Sequence, residues 1–138
     1  MVAEPHPSNG SERREDASSQ ATGMQRRARG LTLARRIDIT QSLARQLSRR
    51  LKRSDTKGRK KARSRLSGLY SLLDALQIDV IRCGVVPSAE PAAYETLDAV
   101  DAALNQGLKH SSLKKRHLKR IRADVKAAQT RVEMLLAD

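Results

Sequence analysis

The sequence predicts an all-α protein, a three-helix bundle with a long first helix that is bent or split and a disordered N-terminal arm. Three observations support this fold class. Apolar residues recur every three or four positions, which places them on one face of a helix. No segment alternates apolar and polar residues with the period of two that a half-buried strand shows. Only 1% of the 138 residues are aromatic, so the core is expected to be aliphatic.

The chain is predicted to form one domain with an N-terminal extension. Residues 1–30 lack apolar periodicity and are rich in Ser, Gly, Pro and charged residues, which is typical of a disordered or extended arm. Residues 31–138 carry the helical spacing and form the predicted bundle. No apolar stretch is long enough to predict a membrane span.

The first helical element carries two apolar stripes. The first stripe comprises Leu33, Ile37, Thr40, Ala44, Leu47 and Leu51. The second comprises Ala62, Leu66, Leu69, Leu73, Leu76 and Val80. The eleven residues between Leu51 and Ala62 equal three helical turns, so one continuous helix fits the spacing. Residues 54–56 and Gly58 instead indicate a break with a new N-cap, and both alternatives stay open. Gly84, with Pro87 beyond it, is predicted to end the element.

Two further helices are predicted from their capping residues. Ser88 is expected to cap the second main helix, whose apolar edge is Tyr94, Leu97, Val100 or Asp101, Leu104 and Leu108. Gly107 is expected to end it with a positive φ. Ser111 or Ser112 is expected to cap the last helix, whose stripe is Leu118, Ile121, Val125, Ala128, Val132 and Leu135. The short connection between these two helices makes them antiparallel neighbours.

The charge of the chain is concentrated in two blocks. The formal net charge is +13. Residues 24–66 hold 16 Lys and Arg against two acids, and residues 109–126 hold eight against one. Between them, residues 67–108 carry six acids and a single Arg. Two strongly basic blocks separated by an acidic one indicate a polyanion-binding surface on a folded scaffold.

Several classes of chemistry are not expected. Base-stacking RNA modules need aromatic platforms, and this chain has two Tyr with no Phe or Trp. One Cys and three His leave little for a disulfide framework or a metal site, and no catalytic motif is present. We therefore expect no catalytic residue, metal ligand or cofactor. His110 and His117 are expected to contact RNA or cap a helix, and Asp98 and Asp101 to face solvent or pair with a basic helix.

Three segments resemble the S-twenty family of small-subunit ribosomal proteins. The sequence Gly107-Leu108-x-His110, followed by a basic helix containing Arg116, is similar to the family's signature. The segment A-Y-E-T-L-D-A-V-D-A-A-L-N-Q-G resembles its acidic middle helix, and K-A-R-S-R-L-S-G-L-Y the basic end of its long first helix. The resemblance covers about residues 45–127. The chain departs from the family's pattern at Ser112, where Asn is usual, and at Lys114 and Lys115, where Ala is usual.

The resemblance implies a non-catalytic three-helix bundle that binds small-subunit ribosomal RNA. The residues expected to neutralise phosphates along the first element are Arg49, Arg50, Lys52, Arg53, Arg59, Lys60, Lys61, Arg63 and Arg65. Those expected in the second contact are Lys109, His110, Ser111, Ser112, Lys114, Lys115, Arg116, Lys119, Arg120 and Arg122. The partners are then ribosomal RNA and neighbouring ribosomal proteins, with a monomer inside the ribosome, no membrane and no small-molecule substrate.

The arm and the departures favour an organellar ribosome, mitochondrial before plastid, with a bacterial cytoplasm as the other setting. The alternative function is an oligomeric helical-bundle accessory protein or packaging protein that binds nucleic acid. In that case the apolar stripes at 33–51 and 118–135 form subunit contacts instead of a monomer core.

Overall fold

A computed structural model shows that the chain is all-helical over the residues that it describes. Residues 5–137 are described, and the side chains of residues 23–137. The four helices are α1 (Pro5–Arg53), α2 (Arg59–Cys83), α3 (Glu90–Leu108) and α4 (Lys115–Leu136), and no strand occurs over this range. The all-α prediction is confirmed, and the bundle has four helices because the long first element is split. Among the described residues, no helix is both long and apolar enough to cross a membrane.

The split lies at the break that Ser54 and Gly58 signal in the sequence. The backbone N–H of Ser54 donates to the carbonyl of Leu51 at 3.1 Å, and the Ser54 hydroxyl accepts the N–H of Thr56 at 3.1 Å. Gly58 then has φ +99°, a left-handed backbone conformation that residues other than glycine rarely adopt. This residue permits the reversal from α1 into α2, so the alternative of two helices is correct.

The helices run alternately up and down, and each packs against two neighbours. Near its middle, α1 meets the C-terminal end of α2: a Cβ on Gly30 would collide with the carbonyl of Val80 and lie 2.9 Å from Gly84 Cα. These two helices are therefore antiparallel. The N–H of Val85 also donates to the carbonyl of Arg26 at 2.9 Å, which ties the α2–α3 loop to α1.

The α3 helix runs parallel to α1, and α4 runs parallel to α2. Arg29 pairs with Glu90 at 3.6 Å, and Arg50 donates to the carbonyl of Leu108 at 2.9 Å, so both helices advance in the same direction. The amide of Gln129 on α4 donates to the carbonyl of Arg65 on α2 at 2.9 Å. Loops 54–58 and 109–114 consequently lie at one end of the bundle, and loop 84–89 lies at the other.

The core consists mainly of the predicted apolar stripes, together with Ala34, Val85, Ala93 and Leu113, which the stripes did not include. Every residue of the two stripes of the first element is buried, including Thr40. On α3 the buried residues include Leu97, Val100 and Leu104, and on α4 they are Leu118, Ile121, Val125, Ala128 and Val132. Leu135, predicted in the same stripe, is partly buried. Burial of each large aliphatic side chain contributes about 1.5–3 kcal/mol relative to exposure, so these stripes are the main source of stability.

Gly107 has a different role from the one predicted. It lies inside α3, which ends at Leu108, and its φ is not positive. Gly107 is buried, and a Cβ there would lie 3.1 Å from the methyl carbons of Leu47 and 3.2 Å from Ile121. The prediction of a left-handed C-terminal residue is wrong. Glycine is needed because α3 approaches α1 and α4 closely at this point.

Two predicted N-caps are also wrong. The N-cap of α3 is Ala89 rather than Ser88, and the N-cap of α4 is Lys114 rather than Ser111 or Ser112. The ring nitrogen Nδ1 of His117 accepts the backbone N–H of Lys114 at 3.1 Å. The side chain at the third position of the helix thus accepts the backbone N–H of the N-cap residue, which is one half of a capping box.

The N-terminal arm predicted over residues 1–30 falls only in part on described side chains. Residues 1–4 lie outside the structural description, as do the side chains of residues 5–22. Residues 23–30 belong to α1, and Gly30 is buried against α2. The helix therefore continues through the boundary that the sequence placed at residue 30.

Candidate nucleic-acid interface

The two basic tracts of the sequence meet at one end of the bundle. The α1–α2 loop carries the end of the first tract, and the α3–α4 loop carries the start of the second. The hydroxyl of Thr56 donates to the carbonyl of Leu113 and links the two loops. We call the linked segments, residues 54–57 and 111–114, the loop ridge. A basic cleft lies on each side of it.

The first cleft, here the terminal cleft, has a volume of about 700 Å³. It lies between the C-terminal end of α1 and the loop ridge, and its lining is Gln46, Arg49, Arg50, Arg53, Ser54, Asp55, Thr56, Ser111, Ser112 and Leu113. Arg49 and Arg53 are exposed and form no ion pair with another described residue. Ser111 and Ser112 are also exposed, so guanidinium and hydroxyl donors face the same space.

The second cleft, here the α2–α4 groove, consists of two adjoining cavities of about 630 and 410 Å³. Lys61 and Arg122 line both cavities, which makes the groove continuous. The remaining lining residues are Lys57, Gly58, Ser64, Arg65, Lys115, Arg116, Leu118, Lys119 and Gln129. None of the lining residues is acidic, so the positive charge of this groove is not neutralised by its own walls. The buried Nε of Arg122 has no hydrogen-bond partner among the described residues.

The start of α4 adds to the positive potential of the groove. Lys115 and Arg116 lie in its first turn, and that turn holds no acid. The unpaired N–H groups of a helix N-terminus already carry a partial positive charge, so each cation there costs a few tenths of a kcal/mol. An anion bound at this position removes that cost, because the backbone N–H groups and the basic side chains then share one negative partner.

His110 and His117 lie beside the same helix start. Their rings stack with centroids 3.8 Å apart and planes 13° from parallel. Burial lowers the pKa of His117 below its usual range, and the positive charges of His110, Arg116 and Lys114 lower it further. A hydrogen bond to the backbone of Ser112 acts in the opposite direction. The ring of His117 caps α4, as one of the two sequence-based alternatives held.

No group of three or more His, Cys, Asp or Glu side chains is placed to hold a metal ion within the described residues.

Some of the predicted contact residues form hydrogen bonds or ion pairs with other residues of the protein. Arg50 donates to the carbonyl of Leu108, and Arg59 donates to the carbonyl of Ser54. Arg120 pairs with Asp124 at 3.2 Å on α4. Other predicted contact residues do not line either cleft: Lys52, Lys60, Arg63, Lys109, His110 and Lys114. The structure therefore divides the predicted set into cleft-lining and peripheral residues.

Lys57 lines the groove and is absent from the predicted set. It lies between the two apolar stripes, in the segment where the sequence was compatible either with one continuous helix or with a break between two helices. The position of Lys57 directly before Gly58, a candidate turn residue, was the sequence signal that could have placed this lysine in the interface.

The acids of the middle segment lie apart from both clefts. Asp98 and Asp101 of α3 pair with Arg36 of α1 at 2.9 and 2.6 Å, which confirms the alternative of ion pairing with a basic helix. Glu95 is exposed on the same helix and lines neither basic cleft. The basic end of the bundle is consequently not screened by the acidic segment that separates the two tracts in the sequence.

No model of a known protein family matches the chain, no curated protein matches it, and no solved structure matches it. The resemblance to the S-twenty family of small-subunit ribosomal proteins therefore remains a prediction from the sequence.

Proposed function

We propose that the protein binds structured RNA through the terminal cleft and the α2–α4 groove, as a non-catalytic structural component of the small ribosomal subunit. One observation carries the RNA-binding part of this proposal. Two basic tracts separated by residues 67–108 in the sequence line adjoining clefts at one end of the bundle, with a single acid among their lining residues. Such a continuous field of one sign attracts a polyanion.

The composition of the clefts favours contacts to phosphates over contacts to bases. Their linings contain Arg, Lys, Ser, Thr and Gln, and no aromatic side chain on which a base can stack. Binding is then governed by release of counterions, and log K falls with log salt by about 0.9 per neutralised phosphate in the B-DNA limit and about 0.7 per phosphate for single strands. Six contacts would reduce affinity about a thousand-fold between ~50 and ~200 mM salt.

Charge reversal in the clefts tests the RNA-binding proposal. The variant Arg53→Glu with Lys119→Glu places one acid in each cleft, and we expect both weaker binding to a ribosomal RNA fragment and a shallower salt slope. The matched control is Arg82→Glu with Arg131→Glu, which makes the same charge change at exposed positions outside both clefts. Equal losses in the two variants would show that net charge alone, and not the clefts, governs binding.

The ribosomal part of the proposal rests on the sequence resemblance and needs a test of its own. Crosslinking of the tagged protein in cells, followed by sequencing of the bound RNA, is expected to recover small-subunit ribosomal RNA. Sedimentation should place the protein with the small subunit of the ribosome, together with neighbouring ribosomal proteins, in an organelle or in a bacterial cytoplasm. Recovery of other RNAs, with no signal on the small subunit, would leave RNA binding intact and overturn this assignment.

The burial pattern favours a monomer over the oligomeric accessory protein. The stripes at 33–51 and 118–135, which that alternative requires for subunit contacts, are almost entirely buried inside a single chain. Light scattering on the RNA-free protein is expected to give the mass of a monomer, 15.3 kDa. A stable dimer or ring would favour the alternative.

A further inference from the structure

The loop ridge separates two basic clefts, and this arrangement indicates how an RNA would sit on the protein. The terminal cleft draws its arginines from α1, and the far wall of the groove draws its basic residues from α4. These two helices are diagonal partners in the bundle, because over the described part of the chain each packs against α2 and α3 and not against the other. Two rows of phosphates could therefore bind on opposite sides of the ridge at once.

The general dimensions of helix bundles allow the two clefts to be compared with the two strands of a duplex. Neighbouring helix axes in bundles lie about 8–10 Å apart, so axes on the diagonal lie about 13 Å apart. That distance is close to the width of a nucleic-acid groove, about 12 Å for the major groove of B-DNA. The minor groove of an RNA duplex is wide and shallow and displays the 2′-hydroxyl groups. Dimensions alone thus permit a duplex of either RNA or DNA.

Asp55 provides a feature that distinguishes the two. Among the residues that the structure describes, it is the only acid that lines either cleft, and its side chain lies fully exposed on the loop ridge. Its nearest basic partner is Arg59 at 3.8 Å, and that guanidinium already donates to the carbonyl of Ser54. A carboxylate between two rows of phosphates weakens binding by repulsion unless a donor from the nucleic acid meets it. Phosphates carry no such donor. Base amino groups do, but RNA and DNA share them, so the 2′-hydroxyl is the donor that only RNA offers.

We infer that the loop ridge enters the minor groove of an RNA duplex, with one strand bound in each cleft, and that Asp55 accepts a hydrogen bond from a 2′-hydroxyl group. This inference rests on the proposed RNA-binding function. It assigns the partner to double-stranded RNA and makes Asp55 the residue that discriminates RNA from DNA.

The test compares three duplexes of one sequence: RNA, RNA with 2′-O-methyl groups throughout, and DNA. Methylation removes the hydroxyl donor and leaves the phosphates in place. Wild-type protein is expected to bind the RNA duplex about tenfold more tightly than the methylated one, since a hydrogen bond to a charged acceptor is of that size. Asp55→Ala is expected to abolish the difference while binding the methylated and DNA duplexes at least as tightly as wild type, because a repulsive charge is gone.

Two control variants make the comparison specific. Asp55→Asn retains a carbonyl acceptor and is expected to keep part of the preference for RNA. Asp74→Ala removes an exposed acid of α2 that lines neither cleft and is expected to keep all of it. Equal affinity of wild type for RNA and its methylated form, or a preference that survives in Asp55→Ala, would overturn the inference. If the proposed RNA-binding function itself is wrong, the result is different. Wild-type protein then binds every duplex weakly, and Arg53→Glu does not weaken the binding further.

Discussion

The guanidinium of Arg36 on α1 lies 2.6 Å from a carboxylate oxygen of Asp101 on α3. The other oxygen of that carboxylate accepts the hydroxyl of Thr40 at 2.6 Å, and Thr40 also accepts a hydrogen bond from Arg36 at 2.9 Å. Thr40 is completely buried within a stripe of aliphatic residues. The three groups form a closed network that fixes α3 against α1 and satisfies a polar side chain inside the core.

Asp101→Ala should destabilise the protein by ~1–3 kcal/mol, because the Thr40 hydroxyl is then buried without an acceptor. Asp98→Ala is the matched control. Asp98 also pairs with Arg36, but 74% of its side chain is exposed, so its loss should cost less than about 1 kcal/mol. Urea unfolding of the two variants measures both values. Equal effects would show that the buried hydroxyl does not depend on Asp101.

Gly107→Val should destabilise the bundle by ~1–3 kcal/mol through overpacking. A Cβ at Gly107 would already lie 3.1 Å from Leu47 and 3.2 Å from Ile121, and valine adds two methyl groups to it. Gly23→Ala is the control: no atom lies within 4 Å of its Cβ position, so a gain of up to about 1 kcal/mol in helix propensity is expected. Denaturant unfolding that finds Gly107→Val as stable as wild type would contradict the tight helix crossing.

Sequence periodicity predicted the core because a helix repeats every 3.6 residues and buries one face. The residues it selected on α1 and α2 are all buried. The ends of the helices were harder to predict. Ser88, Ser111 and Ser112 have the chemistry of N-caps, yet α4 is capped by the ring of His117, and α3 begins after Ala89. The residue that caps a helix depends on the position at which the helix begins. That position is set by packing against the neighbouring helices, which the local sequence does not specify.

The candidate site was predictable in its charge and not in its shape. The two basic tracts and most of the cleft-lining residues follow from the sequence. The two tracts lie next to each other because the chain reverses direction at Gly58. The spacing of eleven residues between the two apolar stripes fitted a continuous helix as well, so the sequence did not predict this reversal. The same reversal separates Arg53, which lines the terminal cleft, from Arg59, which donates to a loop carbonyl. Side chains of equal charge therefore acquire different roles through contacts that periodicity does not encode.

Acidification below about pH 6.5 should destabilise the protein through His117. Burial, with the charges of His110 and Arg116, lowers the pKa of the folded-state ring below its usual range, about 6.5. The unfolded chain then binds more protons than the folded one, so the stabilisation is complete above pH ~6.5 and is lost as pH falls toward the folded-state pKa. Protonation also removes the acceptor that holds the N–H of Lys114.

Thermal melts across this pH range measure the effect of His117. His117→Gln is the matched variant, because a glutamine three residues inside a helix can still accept the N-cap N–H and does not titrate. Its melting temperature should fall less between pH 7 and pH 5 than that of wild type. Curves of the same slope for the two proteins would place the titrating group elsewhere.

Lys114→Glu with Lys115→Glu should change stability and RNA affinity in opposite directions. Lys114 is the N-cap of α4 and Lys115 is its first residue, where acids interact favourably with the helix dipole and cations do not. The free protein should therefore be stabilised by ~0.3–1 kcal/mol. RNA binding should weaken strongly, and the slope of log K against log salt should become shallower by about one, because Lys115 lines the α2–α4 groove whereas Lys114 lies beside it on the loop ridge.

The matched control for this double variant is Lys126→Glu with Arg131→Glu, which makes the same charge change at exposed positions of α4 outside the groove. Its RNA affinity should fall less, because these positions act only through the general field of the protein. The two readouts are a thermal melt without RNA and a binding isotherm with it, each at several salt concentrations. A double variant at Lys114 and Lys115 that loses stability while keeping its RNA affinity would show that the start of α4 is scaffold, and that the phosphates bind elsewhere.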